Sequence, residues 1–279
     1  YFRHGTFNLN FQRQFSSVDM NQLYINYIYQ GNRNLAKSNI GAVVLPSYNF
    51  GFTYSKGQQF GNQIKFNVIY MKSEDYTSQN MIVNPDYALN QTILVKDNNN
   101  FMSNIELKRF FKFIKSRISL LGGYNNSDYK SSVNRQGLIR SRFQSYKVGF
   151  EMKSGWTKKI NYELGYEWLF NSISSEINKN HYRNEVGYFT LNYNPTKQLR
   201  LEANIDYFTY GNTNQSAITF LDIKANYLMP KYKMNLYLHA NNLLDVKEIQ
   251  RYSITNISES LYTQRLLPRH IVLGFNKSF

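Results

Sequence analysis

Apolar and polar side chains alternate with a period of two along most of this chain. The pattern is clearest between Ile160 and Phe170, where large apolar residues fill the even positions and Asn, Glu or Gly fills most odd ones. Successive side chains of a β-strand point to opposite faces, so such a segment has one apolar and one polar face. The segment from Ile271 to Phe279 repeats the pattern, with Ile, Leu and Phe on one face and mostly small or polar residues on the other.

The alternation predicts about 13 strands, joined by connections that are alternately short and long. A series of antiparallel hairpins with tight turns at one end and large loops at the other is typical of outer-membrane barrels. The apolar faces of the predicted strands lie in segments 7–15, 23–29, 48–54, 64–70, 105–107, 114–120, 146–152, 160–170, 189–193, 199–207, 221–227, 234–240 and 271–279.

The connections also predict a direction through the membrane. Bacterial barrels place short turns in the periplasm and long loops outside, so a last strand that ends at the periplasm fixes the side of every other connection. The predicted short turns are Ser16–Met20, Lys56–Gly61, Phe110–Phe113, Ser154–Lys159, Asn194–Lys197 and the turn at Pro230. The predicted long loops are Gly31–Ala42, Tyr76–Asn98, Asn125–Ser141, Asn171–Asn180, Gly211–Gln215 and Asn242–Leu267.

Composition narrows the fold class. The mean hydropathy is −0.53, and no run approaches the roughly 20 apolar residues of a membrane-spanning helix. The 24 Tyr and 20 Phe residues suit the aromatic girdles of a barrel. A β-sandwich or a propeller is the alternative, but those folds use shorter strands than the roughly 10–14 residues expected here. We therefore predict that residues 1–279 are an all-β, transmembrane, antiparallel up-and-down β-barrel in the outer membrane of a Gram-negative bacterium.

The basic charge is placed at turns and not on one surface. A formal net charge of +15 on a soluble protein would suggest nucleic acid, but no recognition helix or RNA-binding motif is present. Lysines and arginines flank the short connections, where their stems suit membrane-surface anchoring. We therefore expect outer-membrane lipid and lipopolysaccharide, and no nucleic acid, as partners.

The predicted number of strands indicates whether these residues can close a barrel by themselves. A barrel must close because backbone groups in hydrocarbon must be paired, and bacterial single-chain barrels use an even number of strands. About 13 strands that start without a leader peptide lead us to expect further strands before Tyr1. A complete barrel of about 12 or 14 strands is the alternative.

The segment Leu238–Phe279 carries family-like motifs: Asn242-Leu243-Leu244-Asp245 after the penultimate strand, Pro268-Arg269 at the start of the last strand, and a terminal Phe279. In these motifs the chain resembles the C-terminal end of TonB-dependent outer-membrane receptors, and its richness in Asn, Lys, Ile and Tyr is similar to members from the Bacteroidetes. Leu244 departs from the usual Phe. The resemblance implies a barrel of about 22 strands, with a plug domain and a TonB-contacting segment upstream.

The polar face of the predicted strands holds the candidate site residues. Their ionisable groups would contact a passing ligand or the plug, and the simpler alternative is that they only hydrate the interior. The candidates are Arg117, Lys147, Glu151, Glu163, Glu167, Glu202, Asp206, Asp222 and Lys224.

Catalytic and metal chemistry have weak support. The chain has no cysteine, which removes thiolate metal sites and cysteine nucleophiles. We expect no cofactor, no metal and no catalytic residue, because no nucleophile motif and no ligand spacing is present. An outer-membrane hydrolase built around His181 or His239 is the weakest alternative.

Two functions follow from the resemblance. The first is a TonB-dependent transporter that takes up a siderophore, glycan, peptide or similar ligand with energy from the TonB system. The second is a barrel that does not transport and serves as a scaffold in a secretion, assembly or surface complex, with a surface lipoprotein or other outer-membrane subunits as partners.

Overall fold

The computed structural model describes residues 5–18, 28–29, 34–38, 40–57, 61–134, 137–155, 159–176, 178–211, 217–254 and 259–277. Strands dominate these residues, and a 3-10 helix at Pro230–Tyr232 is the only helix among them. In the described residues no helix has the length and apolar character needed to cross a membrane. The strands are β1 Gly5–Ser17, β2 Ile28–Tyr29, β3 Asn34–Ser38, β4 Val44–Gly57, β5 Gln63–Val83, β6 Ala88–Phe111, β7 Ser116–Val133, β8 Ile139–Ser154, β9 Ile160–Ser175, β10 Lys179–Tyr193, β11 Leu199–Thr209, β12 Ile218–Met229, β13 Met234–Asn241, β14 Glu248–Ile254, β15 Glu259–Arg265 and β16 His270–Lys277.

Twelve of these strands form one continuous antiparallel wall in the order β1-β4-β5-β6-β7-β8-β9-β10-β11-β12-β13-β16. Nearly every strand pairs with the next one along the chain, as in a series of hairpins. Among the described residues, the strands β14 and β15 pair only with each other, and both lie within the predicted long connection before β16. The predicted all-β, up-and-down antiparallel architecture is therefore confirmed.

The predicted hairpin between the first two strands is wrong. β1 pairs directly with β4, with Ser17 opposite Val44, so β1 ends and β4 begins at the end of the wall that carries the long loops. Ser16 and Ser17 of the predicted short turn Ser16–Met20 therefore belong to β1, and Asp19 and Met20 lie outside the described residues. Most of the predicted strand 23–29 lies outside the described residues, and only β2 at its end is seen. Aromatic packing across β1 and β4 favours this pairing, since the rings of Phe7 and Tyr54 are 4.7 Å apart.

Several predicted loops are extensions of strands. β5 and β6 stay paired as far as Val83 opposite Ala88, so 76–98 is a hairpin closed by the turn at Asn84, whose backbone N–H donates to the carbonyl of Tyr87 at 2.9 Å. The predicted loop 125–141 is likewise mostly strand, since β7 reaches Val133. In the sequence, the residues Asn84-Pro85-Asp86 and the polar run at 97–100 both favour a loop. Only the first is a turn, and residues 97–100 lie within β6.

The wall has almost no hydrophobic core. Among the described residues the largest fully buried side chains are the serines Ser116, Ser119 and Ser141. Large apolar side chains of the predicted outward face are exposed instead, with Leu120 at 52% and Val148 at 53%. A β-sandwich buries its apolar faces between two packed sheets, so this arrangement excludes the sandwich. Exposed apolar surface on this scale marks contact with a membrane or a partner.

The two edge strands have one neighbour each. β1 pairs with β4 and β16 pairs with β13, and in the described part of the chain neither has a second partner. Lys277 lies opposite Met234, so β16 ends at the short-turn end of the wall, as the sequence predicts.

Candidate functional site

Register places all of the predicted site residues on the polar face of the wall. Along one row, Arg117 lies opposite Lys153, and Lys153 lies opposite Glu163. In a second row Glu202 is opposite Lys224. Because side chains on directly paired residues project to the same side of a sheet, the face is a continuous polar band across β7–β12.

The centre of this band is a four-residue cluster of Glu151, Lys153, Glu163 and Tyr188. The Lys153 ammonium lies 2.8 Å from a carboxylate oxygen of Glu151 and 2.8 Å from one of Glu163. The Tyr188 hydroxyl is 2.8 Å from Glu151 and 3.1 Å from Glu163. One lysine and one hydroxyl therefore hold two carboxylates side by side. A cavity of about 300 Å³ lies beside the cluster.

Gly165 makes room for the cluster. It lies directly opposite Tyr188, and a Cβ atom at this glycine would be 2.5 Å from the tyrosine ring. The ring therefore lies close over the glycine, and its hydroxyl reaches across β9 to Glu151 of β8. A larger residue at position 165 would push the ring away from both carboxylates.

Most of the remaining candidates form single ion pairs or hydrogen bonds. Lys147 pairs with Glu167 at 2.5 Å, and Lys224 pairs with Glu202 at 2.9 Å. The Asn204 amide also donates to Glu202, at 2.6 Å.

Three candidates stand apart from these pairs. Asp222 accepts a hydrogen bond from the backbone of Asn242 at 2.7 Å. Asp206 takes part in no ion pair of the described residues, and the buried Nε of Arg117 has no hydrogen-bond partner among them. The structure therefore joins most of the candidates into neighbouring pairs and not into a single site.

Sequence reasoning missed Lys153 and Tyr188. Lys153 alternates with Met152 and so belongs to the polar face, but it also flanks the short turn Ser154–Lys159, and it is not among the candidate site residues. Tyr188 precedes the predicted start of its strand at Phe189, whereas β10 begins at Lys179. Extending the alternation backwards through a polar segment would have found it.

The Asn242–Asp245 motif ties the last long connection together. The Asn242 side chain donates to the carbonyls of Val246 at 2.8 Å and Leu267 at 2.9 Å, and it accepts from the Val246 backbone at 2.9 Å. The Asp245 carboxylate accepts from the backbone of Arg269 at 3.2 Å. Asn242 thus clamps both ends of the segment that carries β14 and β15. Phe279 of the terminal motif lies outside the described residues.

The two histidines of the hydrolase alternative do not share a site. His239 lies opposite Lys224 on the polar face, whereas His181 lies opposite Ser172, in register with the apolar face. Within the described residues no group of three or more His, Asp or Glu side chains could hold a metal ion.

The contacts determine what the polar face can do. Most of its carboxylates are matched by a lysine or a hydroxyl, so the face is polar but carries little unbalanced charge. Such a surface suits a water-filled path or a polar protein segment packed against it.

Comparisons with known proteins give weak similarities. No protein-family model matches the chain, and no curated protein matches it. Among solved structures it is similar to the siderophore receptor PirA from Acinetobacter baumannii, with a TM-score of 0.42, 12% identity, and coverage of 83% of this chain and 41% of that one. It is also similar to a FadL homologue from Pseudomonas aeruginosa, with a TM-score of 0.35, 10% identity, and coverage of 97% and 73%. The chain spans less than half of the length of PirA.

The fold and location follow from the wall itself. One antiparallel sheet with an exposed apolar face and a charged opposite face is the wall of an outer-membrane β-barrel. The predicted fold class and outer-membrane localisation are confirmed at this level.

The four-residue cluster predicts unequal roles for two lysines. Replacing Lys153 with Met leaves two adjacent carboxylates without their shared cation, and we expect the free energy of unfolding to fall by about 1–2 kcal/mol. The matched variant Lys147→Met breaks a single, more exposed pair and should cost less than about 1 kcal/mol. Adding Glu163→Gln to Lys153→Met removes the like-charge repulsion and should recover part of the loss. Urea unfolding in lipid vesicles measures all three, and equal losses for the two lysine variants would contradict the shared-cation arrangement.

The clamp at Asn242 gives a second prediction. Asn242→Gly keeps the positive φ of 52° accessible but removes the side-chain hydrogen bonds, and should lower stability by about 1–3 kcal/mol. The same substitution should increase the rate of amide hydrogen exchange in β14 and β15. Leu244→Ala is the control, because Leu244 is 53% exposed. Unchanged exchange in Asn242→Gly would show that the clamp does not hold this hairpin.

Proposed function

We propose that this chain forms part of the wall of an energised outer-membrane transporter. Its apolar face contacts lipid, and its polar face borders an aqueous path for a ligand such as a siderophore, glycan or peptide. The observation that supports this best is the division of the same strands into an exposed apolar face and a face of paired charges.

The paired charges suit reversible contact with a moving polar segment. Cations and carboxylates already satisfied within the wall leave few strong, permanent attachment points for a ligand or plug. Cross-strand pairs such as Lys147 with Glu167 can exchange hydrogen bonds with water or with an incoming polar group at modest cost. A ligand bound at the outer loops would pass along this face once energy from the TonB system has displaced the plug.

Dependence on TonB is supported by the terminal motif. Asn242 and Asp245 take up specific backbone hydrogen bonds at the start of the last long connection, so the resemblance to TonB-dependent receptors involves residues with a structural role. The plug and the TonB-contacting segment are part of this proposal, whereas the described residues belong to the wall.

The edges of the wall require partners in a membrane. Each unpaired backbone group in hydrocarbon costs several kcal/mol, and β1 and β16 each have one open side. We propose that further strands of the same barrel cover both edges.

A scaffold is the second candidate function, and the long hairpin of β5 and β6 favours it. These strands have 21 and 24 residues, about twice the 9–11 that a tilted strand needs to cross the bilayer. Their outer halves present a surface beyond the membrane on which a surface lipoprotein or another outer-membrane subunit could dock.

Uptake measurements separate the two functions. Cells with and without the full-length protein are given labelled siderophores, glycans and peptides, before and after a protonophore collapses the proton gradient. A transporter should accumulate one ligand class only when the protein is present, and the protonophore should reduce that accumulation to the level of cells lacking the protein. If no class accumulates, or if accumulation is unaffected by the protonophore, the energised transporter is wrong. Co-purification of a stoichiometric surface subunit would then support the scaffold.

A further inference from the structure

The apolar face ends in a basic cavity. Along β9 the outward side chains are apolar from Ile160 to Phe170 and become polar at Ser172 and Ser174. Ten residue steps of about 3.4 Å, tilted by about 40°, span about 25 Å of membrane thickness, which is the height of the apolar band of such barrels. Phe170 therefore marks the rim of the lipid-facing band at the end that carries the long loops.

Basic side chains gather immediately beyond that rim. Register aligns Tyr146 with Phe170 and Phe170 with Arg183 in one outward row, and the next outward positions bring in Arg142, Lys179 and His181. We call Arg142, Lys179, His181 and Arg183 the rim cluster. They line one cavity of about 720 Å³ together with Tyr146 and Phe170. Among the described residues lining this cavity there is no carboxylate.

The arginines of the rim cluster are fixed by neighbours outside the cavity. Arg142 donates to Asp128 at 2.8 Å, and Arg183 is bound to the buried Glu185, which also accepts from the Tyr166 hydroxyl. Burial raises the pKa of Asp128, but hydrogen bonding and charge from Arg142 and Arg140 outweigh it and lower that pKa below its ordinary value. The Asp128 carboxylate therefore stays ionised, and the hydrogen bonds to Asp128 and Glu185 hold the two guanidinium groups in place.

Lys179 and His181 are available to a ligand. Both are exposed, and neither forms an ion pair within the part of the chain that the structure describes. The Arg183 guanidinium lies 5.8 Å from the centre of the Phe170 ring, so cationic and apolar groups meet at one point. A molecule that fits both needs anionic groups next to hydrocarbon.

We propose that the rim cluster binds the phosphorylated headgroup of an outer-leaflet lipid of the lipid A type. Phosphate oxygens would accept hydrogen bonds from Lys179, His181 and the outer edges of the two arginines, while the first part of the acyl chains packs on Tyr146 and Phe170. The cavity is continuous with the lipid-facing band, which a free anion or a soluble partner would not require. This inference rests on the proposed placement of the apolar face in lipid.

Lipid binding by the full-length protein in phosphatidylcholine nanodiscs tests the proposal. The probes are diphosphoryl lipid A and the same lipid after removal of its phosphates, with bound lipid counted by native mass spectrometry. The wild type should retain the diphosphoryl form preferentially. Lys179→Glu should lower that retention by about fivefold or more, as expected for reversing a charge next to a phosphate.

A second basic cavity supplies the matched control. It also measures about 720 Å³ and is lined by Lys197 and Arg200, but it lies at the short-turn end of the wall. Lys197→Glu makes the same change in net charge and should leave retention unchanged. Equal losses in the two variants, or equal retention of the two lipids by the wild type, would overturn the proposal. Competition by inorganic phosphate as effective as that by lipid A would overturn the assignment to a lipid.

Membrane insertion is scored separately, by resistance of the reconstituted protein to extraction with urea. If the wild type does not insert, the proposed function fails before any lipid is tested. If it inserts but shows no preference for phosphate, only the lipid site is wrong.

Discussion

The need to pair every backbone N–H and C=O group governs this structure. In hydrocarbon an unpaired group costs several kcal/mol, so the chain runs as successive antiparallel hairpins in which each strand is paired along most of its length. This pairing takes the place of a hydrophobic core, since the most deeply buried side chains are serines. Cross-strand packing, such as the rings of Tyr166 and Trp168 at 4.7 Å, adds to the pairing but does not create an interior.

Alternation along each strand gives the wall two chemically different faces. One face offers Ile, Leu, Phe and Tyr to lipid, and the other offers charges that are largely satisfied by their neighbours. Glu185 shows how strictly the division is kept: it projects from the apolar side near the rim, yet it is buried and bonded to Tyr166 and Arg183. A charge on the lipid side is therefore tolerated where partners enclose it. The transport proposal and the lipid proposal each use one of these two faces.

The parts of the fold that the sequence predicts are those where the period of two is imposed by the bilayer. The face of β9 from Ile160 to Phe170 and the placement of every candidate site residue on the opposite side follow from alternation alone. The pairing of β1 with β4 did not, because proximity along the chain favours the intervening segment, whereas the aromatic contacts between β1 and β4 join residues far apart in the sequence. The alternation did not identify Tyr188, because its strand starts in polar sequence. The cluster around Lys153 depends in addition on the small size of Gly165 opposite the tyrosine. Contacts of this kind require the register between strands, which composition does not contain.

The environment of each face can be measured directly on β9. The 279 residues contain no cysteine, so single cysteines at positions from 160 to 170 other than Gly165 introduce one spin label at a time. Any cysteine elsewhere in the full-length protein is replaced by serine before reconstitution in vesicles. Labels at the even positions should collide with oxygen dissolved in the lipid, and labels at 161, 163 and 167 should collide with a water-soluble nickel chelate, giving a period of two. Labels at the even positions that are shielded from both reagents would show a dry protein interior, and would contradict the membrane wall.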